Sequence, residues 1–449
     1  MTLELLDPML RGGIRNTHFF NGRLLTAEDL RAEQQANCAQ HQQLGRAIGA
    51  GVVEGLDVRL VSNGAKPVVR VSQGLAITRK GAVLALAEDV DVALVRTPKL
   101  SGLGSDTGLF DICRPEATTP SAAIAEGVYL LVIGPASGFA ERAPVVGFHG
   151  NGVASDCDHR FAVEGVTFRL VGVDLAQIDF VSAAQRAGLV ALLSQAAPAG
   201  RARLRNELAH LCFGADQAVG FAADPFRLPS GHSPLVSYGL VDWLCSRGDL
   251  SQCDVPLALL LWTTAGVQFV DLWSVRRQPT PPALSAVWPL QTGARRPGEG
   301  QAAFLQFQTQ IADMILSGAF GATLTQLHAR DLFRYLPAGG LVPLGTNRYQ
   351  GFEVEDFFQG MATPSPVHIT GDELAGLLRM SHDFPSIDLG KAQQELVWLY
   401  LVRENAEAIA ATTGSALPPQ PYIVFSSGHM PYFGQARYDL DHWSFANYS

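Results

Sequence analysis

Three glycines in the stretch "RAIGAGVVEGLDV" (46–58) stand close to the spacing of a dinucleotide-binding loop. In such a loop, residues like Gly49, Gly51 and Gly55 let the backbone approach a pyrophosphate held at a helix N-terminus. The chemistry needs a strand before the glycines and a helix after them. Here a polar helical stretch runs in and alternating apolar segments run out. The order is reversed, so Gly49 and Gly51 read as a helix C-cap and a turn. No nucleotide cofactor is expected.

Other groupings could in principle do chemistry. "GHSPL" (231–235) has the serine of a nucleophile elbow at Ser233, but Leu235 stands where the second glycine belongs. Pro229 and Pro234 bracket the serine, which points to a loop rather than a strand–turn–helix. "DCDHR" (156–160) offers Asp156, Cys157, Asp158 and His159, with His149 nearby. If that segment is extended, consecutive side chains alternate direction, so at most two could reach one metal. Cys245 and Cys253 are separated by seven residues with no histidine between them. Carboxylates are scattered as single residues or exposed pairs such as Asp439 and Asp441. No catalytic residue, cofactor or metal is expected. The aromatic tail with Trp443, Phe445 and Tyr448 could stack on a ligand ring or form a docked terminus.

The elements that would carry these residues follow from periodicity. Thr26 and Asp29 stand as a capping box at the start of a polar helix over 26–49. Its apolar stripe is thin: Leu30, Cys38, Leu44 and Ile48. It is either a surface helix or one that waits for a partner chain. After Gly55 the period becomes two, and "LDVRLV", "PVVRVS", "LAIT" and "AVLAL" read as strands, with Arg79-Lys80-Gly81 as a hairpin loop. Residues 97–126 are rich in Pro, Gly, Ser and Thr and read as a connection. "GVYLLVIG" and "GVTFRLVGVDL" are strands flanking an expected loop at 147–160, followed by helices over 181–197 and 200–212. The segment 255–275 reads as two strands joined by "TTAG". A helix follows over "AAFLQFQTQIADMIL", then a capping box at Thr370 and Glu373, a long helix over 391–410 and a strand "YIVFSSG".

The expected fold class is α+β, β-rich and multidomain. An N-terminal helix and small β-domain span 1–96, a mixed β/α middle domain 97–277, a proline-rich linker 278–300 and a helix-containing α+β domain 301–449. A chain of 449 residues is too long for one core. Its 47% hydrophobic content suits a globular protein, and a net charge of −9 argues against binding a nucleic-acid backbone. Four lysines accompany 29 arginines, a bias that GC-rich coding or use of arginine in contact surfaces would produce. "MTLELLDPML" has neither a basic region nor an apolar run, so no secretory signal is expected. The six cysteines fall at irregular spacings, as expected of reduced thiols in a product of the cytoplasm.

At "HFFNGRLLTAEDLRAEQQ" (18–35), "LGRAIGAGVVEGLDVRL" (44–60) and "VRVSQGLAITRKGAVLAL" (69–86) the chain resembles a family found with contractile phage tails and phage-tail-like injection systems. The likeness extends through "ERAPVV", "DHRFAVEGVTFRLV", "CDVPLALLLWTTAGVQFVDLWSVRR", "FRYLPAGGLVP", "FPSIDL", "WLYLVREN" and "YDLDHWSFANY". The first block is the most specific. The resemblance implies a structural, baseplate-associated protein: an adaptor, a cage around the spike or a fibre attachment. It implies spike, wedge or sheath components as partners, several copies per particle, and cytoplasmic synthesis before incorporation into a particle that is released or membrane-attached. Any membrane contact would run through that particle. No collagen-like or repeated β-shaft appears, which disfavours a tail fibre. The resemblance assigns no catalytic residues.

The candidate interface residues are Phe19, Phe20, Arg23, Leu24 and Leu25, which cluster before a helix too polar to cover them, with Trp443 and Tyr448 in the tail. The phenylalanines would be anchors and Arg23 part of the rim. The alternative for them is folding back onto the β-segment 52–95. Two other functions compete: a glycan- or receptor-binding module using the tail aromatics, and a hydrolase or metalloenzyme centred on Ser233 or on Cys157 and His159.

Overall fold

The computed structural model describes residues 13–63, 67–94, 126–149, 152–195, 197–214, 239–281, 295–345, 350–391, 394–405 and 420–431; over 142–149 and 152–158 and at 322–323 it describes backbone only. Helices and antiparallel sheets combine into an α+β, multidomain architecture. Among the described residues no helix is long and apolar enough to cross a membrane.

Helix α1 (Ala27–Ile48) starts at the capping box: the Thr26 hydroxyl accepts from the Asp29 N–H, and the Asp29 carboxylate accepts from the Thr26 N–H. Short strands follow: β1 (Gly51–Gly55), β2 (Val58–Ser62), β3 (Val68–Val71), β4 (Gly74–Ile77), β5 (Val83–Leu86) and β6 (Val90–Ala93). They form two three-stranded antiparallel sheets, ordered β1-β4-β5 and β2-β3-β6. The alternation expected of half-buried strands is visible in β5, where Leu84 and Leu86 are buried and Val83 and Ala85 exposed. β1 and β6 extend the set anticipated from the sequence.

The middle of the chain contributes β7 (Gly127–His149), β8 (Gly152–Val173), α2 (Ala183–Leu193), α3 (Pro198–Phe213), α4 (Leu240–Arg247), β9 (Val255–Thr263) and β10 (Gly266–Asp271). The sheet runs β10-β9-β7-β8, antiparallel throughout. Its two faces are both covered, as the side-chain period of two requires. Val128, Leu130 and Val132 of β7 pack with α2, α3 and α4. Leu131 and Ile133, facing the other way, share a core with Val52, Leu56, Val69 and Leu84 of the N-terminal strands. The middle sheet is thus a wall common to both pieces.

Within the loop expected at 147–160, residues 147–149 and 152–160 are instead strand. β7 and β8 stay paired from Val128↔Val173 out to His149↔Gly152. β9 covers β7 only as far as Ile133. From Gly134 onward the two strands form a two-stranded arm of about 50 Å, at ~3.3 Å per residue. Pro135 and Pro144, which suggest irregular chain, lie on β7 beyond the part that β9 pairs with.

Beyond the middle sheet come α5 (Arg295–Leu316), the short α6 (Ala329–Leu332), β11 (Tyr335–Leu336), β12 (Gly339–Pro343), α7 (Val354–Phe357), β13 (Val367–Ile369), α8 (Gly371–Ser381), β14 (Ile387–Asp388), β15 (Val397–Val402) and β16 (Tyr422–Ser427). The helix expected over 391–410 is corrected: "VWLYLV" is strand β15, between β16 and a parallel β13 in the order β12-β16-β15-β13. Val397, Leu399, Tyr400 and Val402 are buried on both faces, which an aromatic and β-branched segment satisfies better as a central strand. One face meets α5 through tilted and edge-on rings of Phe307, Phe333 and Phe425, and the other packs on α8, which opens at the expected Thr370–Glu373 capping box. Helix α5 begins seven residues before the stretch anticipated for it. The cysteine expectation also needs one correction: Cys38, Cys212 and Cys245 are free, but Cys253 is disulfide-bonded.

Candidate assembly interface

The N-terminal segment is fixed to the start of α1 by polar side chains and leaves its apolar ones outside. Thr17 donates through Oγ1 to the Asp29 carbonyl at 2.9 Å, and its N–H donates to Glu33 at 3.2 Å. Arg23 donates one guanidinium nitrogen to the His18 carbonyl at 2.7 Å and pairs with Asp29 through the other. Arg23 therefore braces the segment as well as bordering it. Hydrogen bonds from the Thr26 backbone and side chain, followed by the Arg23 charge, hold the Asp29 carboxyl below its ordinary range. Around this brace Phe19 is 54% exposed, Phe20 59%, Leu24 87% and Leu25 47%. The stripe of α1 is outside too, with Leu30, Leu44 and Ile48 all exposed. Only Ala36 and Gly45 of this helix are buried. Trp443 and Tyr448, the remaining interface candidates, lie outside the described residues.

The glycines that resemble a nucleotide loop have a packing role. Gly49 and Gly51 lie against the backbone of Arg277, Gln278 and Thr280, and a Cβ at Gly49 would run into the Thr280 carbonyl. The Val52 N–H donates to the Arg277 carbonyl at 2.9 Å. Further up α1, Gly45 sits directly on Gly81, whose φ of +84° suits the hairpin turn. The helix end is thus clasped between the β4–β5 hairpin and the start of the expected linker. Gln278–Pro281 is ordered there, 295–300 is the first part of α5, and 282–294 lies outside the described residues.

Sequence reasoning missed what lies under this clasp. A cavity of about 530 Å³ opens where the three parts of the chain meet, lined among others by Arg46, Arg79, Asp242, Arg277, Arg295 and Glu299. Asp242 of α4 is 3% exposed and accepts from Arg79 of the β4–β5 hairpin and, at 3.0 Å, from Arg295 of α5. Burial would raise its carboxyl, but the two guanidiniums outweigh it and hold the pKa down. A carboxylate so held is a structural tie between the pieces. It is not poised as a proton acceptor. Asp254, also on the cavity wall, is raised by burial against the pull of Arg169. The Ser251 N–H also donates to it, at 2.8 Å. These pairs join residues 53 to 163 positions apart, so no local pattern announces them.

Ser233 lies outside the described residues. Asp156, Cys157, Asp158 and His159 fall on consecutive positions of β8, and the His159 ring stacks on Phe139 at 5.0 Å. Among the described residues no group of three or more His, Cys, Asp or Glu side chains could hold a metal ion.

His210 is a buried histidine that the fold keeps neutral. His210 of α3 stacks on Tyr335 at 3.9 Å and lines a small cavity with Arg334, and its Nδ1 has no hydrogen-bond partner. Burial, reinforced by Arg334 and opposed by Asp388, lowers its pKa to about 3. The folded state thus refuses a proton that the unfolded chain accepts near pH 6.5. Stability from the neutral ring is complete above that pH and falls as the pH drops toward 3, by up to ~1.4 kcal/mol per unit. Denaturant unfolding between pH 5 and 6.5 should show this slope in the wild type and a flatter one in His210→Asn. Equal slopes would show that His210 is not the group responsible.

No family model matches the sequence, and no curated protein matches it.

Proposed function

We propose that the chain is a non-enzymatic structural component of a contractile phage-tail-like particle, a baseplate-associated adaptor or cage protein. The observation that carries this reading is the N-terminal block: the segment with the family-like pattern keeps its polar residues for internal bracing and turns Phe19, Phe20, Leu24 and Leu25 outward. Soluble monomers seldom expose such a cluster unless a partner covers it. The projecting arm and the exposed stripe of α1 are further surfaces of the kind an assembly part uses. The partners proposed are spike, wedge or sheath components, met by several copies of this chain, with the membrane reached only through the particle. Synthesis is placed in the cytoplasm, followed by incorporation.

Mass spectrometry of particles purified with and without the gene tests the reading, with electron cryo-microscopy to place the missing density. Ser233→Ala, and Cys157→Ala combined with His159→Ala, should leave assembly and particle function unchanged. Absence of the chain from particles would overturn the structural role. Loss of function in either variant with the fold retained would restore the hydrolase or metalloenzyme alternative.

A further inference from the structure

The arm formed by β7 and β8 lacks what normally stabilises such a ribbon. A two-stranded hairpin is marginal in water, and a third strand or a covering layer is needed for independent stability. Among the described residues no third strand accompanies β7 beyond Ile133, and β8 is the last strand of the sheet, with no strand paired to its outer edge. Residues 159–165 are exposed without a break, Phe161 at 46% and Val163 at 48%. An open edge of this length, with apolar side chains and no proline in β8, is a template for another strand.

We infer that β8 pairs antiparallel with β8 of a second copy across a two-fold axis at Ala162. The charges of the strand select this occupant and this register. With Ala162 opposite itself, Arg160 faces Glu164 of the partner subunit, and Glu164 faces the partner's Arg160. Phe161 likewise meets the partner's Val163 in both directions. Moving the axis by one residue either way places Ala162 opposite Arg160 or Glu164 and loses both charge pairs. Opposite charges and aromatic–aliphatic pairs directly across a ladder are stabilising, and a two-fold axis doubles each of them. Arg160 is exposed enough to take this role: its side chain is 61% exposed, its contact with Glu141 on β7 is a loose 3.4 Å, and its guanidinium lies 4.9 Å over the neighbouring Phe161 ring. It would then sit between two carboxylates. This pairing concerns the arm and not the N-terminal cluster, so it holds or fails independently of the particle reading.

The test uses the full chain, purified, with size-exclusion chromatography and light scattering as readout and circular dichroism as the check on folding. The wild type should be a dimer at micromolar concentration. Arg160→Glu and Glu164→Arg should each weaken it at least tenfold, by setting like charges opposite each other. The double variant should recover the dimer, because the pairs re-form with reversed sign. In a second measurement, Ala162→Cys should give a covalent dimer on mild oxidation, whereas Val166→Cys and the wild type should not. A monomeric wild type, single variants that dimerise normally, a double variant that fails to recover or an Ala162→Cys chain that does not cross-link would each overturn the inference.

Discussion

Asp271→Asn should destabilise the folded chain by about 3–5 kcal/mol, the usual consequence of removing one partner of a buried ion pair. Asp271 is fully buried at the end of β10. One of its oxygens accepts from Arg205 Nε at 2.5 Å and from Gln306 Nε2 at 3.0 Å, and the other accepts from the Ser274 N–H at 3.0 Å. Arg205, itself 5% exposed, donates also to Asp313 at 2.7 Å. The network therefore ties α3 to the middle sheet on one side and to α5 on the other. Without the carboxylate, the guanidinium keeps only Asp313, whose side chain is 53% exposed. Burial by itself would raise the Asp271 carboxyl, but Arg205 and the hydrogen bonds outweigh it and the pKa is lowered. Its stabilising effect is accordingly present above the ordinary carboxylate range and is lost as the pH falls below it. Equilibrium unfolding in denaturant at neutral pH measures the loss. Arg205→Met with Asp271→Leu should recover most of it, since no unpaired charge then remains buried. A change below about 1 kcal/mol for Asp271→Asn would mean that the network does not join these elements energetically.

The same network shows why part of the fold could be read from the sequence and part could not. The capping boxes at Thr26–Asp29 and Thr370–Glu373, the Arg79–Gly81 turn and the 255–271 hairpin are decided within a few residues, and each is found where its pattern places it. The Arg205–Asp271 pair spans 66 residues, and nothing next to either residue announces it. Strand β15 was obscured for a similar reason. Its flanking residues favour helix, and its partners lie about 30 residues before it and 25 after it, at Val367 and Tyr422. Tertiary burial overrides local propensity there. The arm was hidden by its own glycines and prolines, which mark loops in most contexts. In the N-terminal segment, Phe19, Phe20, Leu24 and Leu25 are exposed together, as a cluster before so polar a helix suggests. It did not foresee that Arg23 would brace the segment that presents them.

Replacing Phe19 and Phe20 together by serine should remove the chain from assembled particles while leaving the isolated protein folded. Each ring is more than half exposed, so neither supports the internal core. The bracing contacts of Thr17 and Arg23 use backbone and polar atoms that the substitutions leave in place. Circular dichroism and thermal melting of the double variant should therefore match the wild type. Binding should not. Aromatic anchors at the centre of an interface cost ~2 kcal/mol or more each when truncated, and together they would weaken the contact on the order of a thousandfold. A loss of that size takes a contact of micromolar strength out of the range in which a subunit is retained. Mass spectrometry of purified particles should find the wild-type chain and miss the variant, and Leu24→Ser should give an intermediate result. A double variant that unfolds would show these rings to be core. One that enters particles normally would place the contact elsewhere on the chain, and the exposed stripe of Leu30, Leu44 and Ile48 would be the next surface to alter.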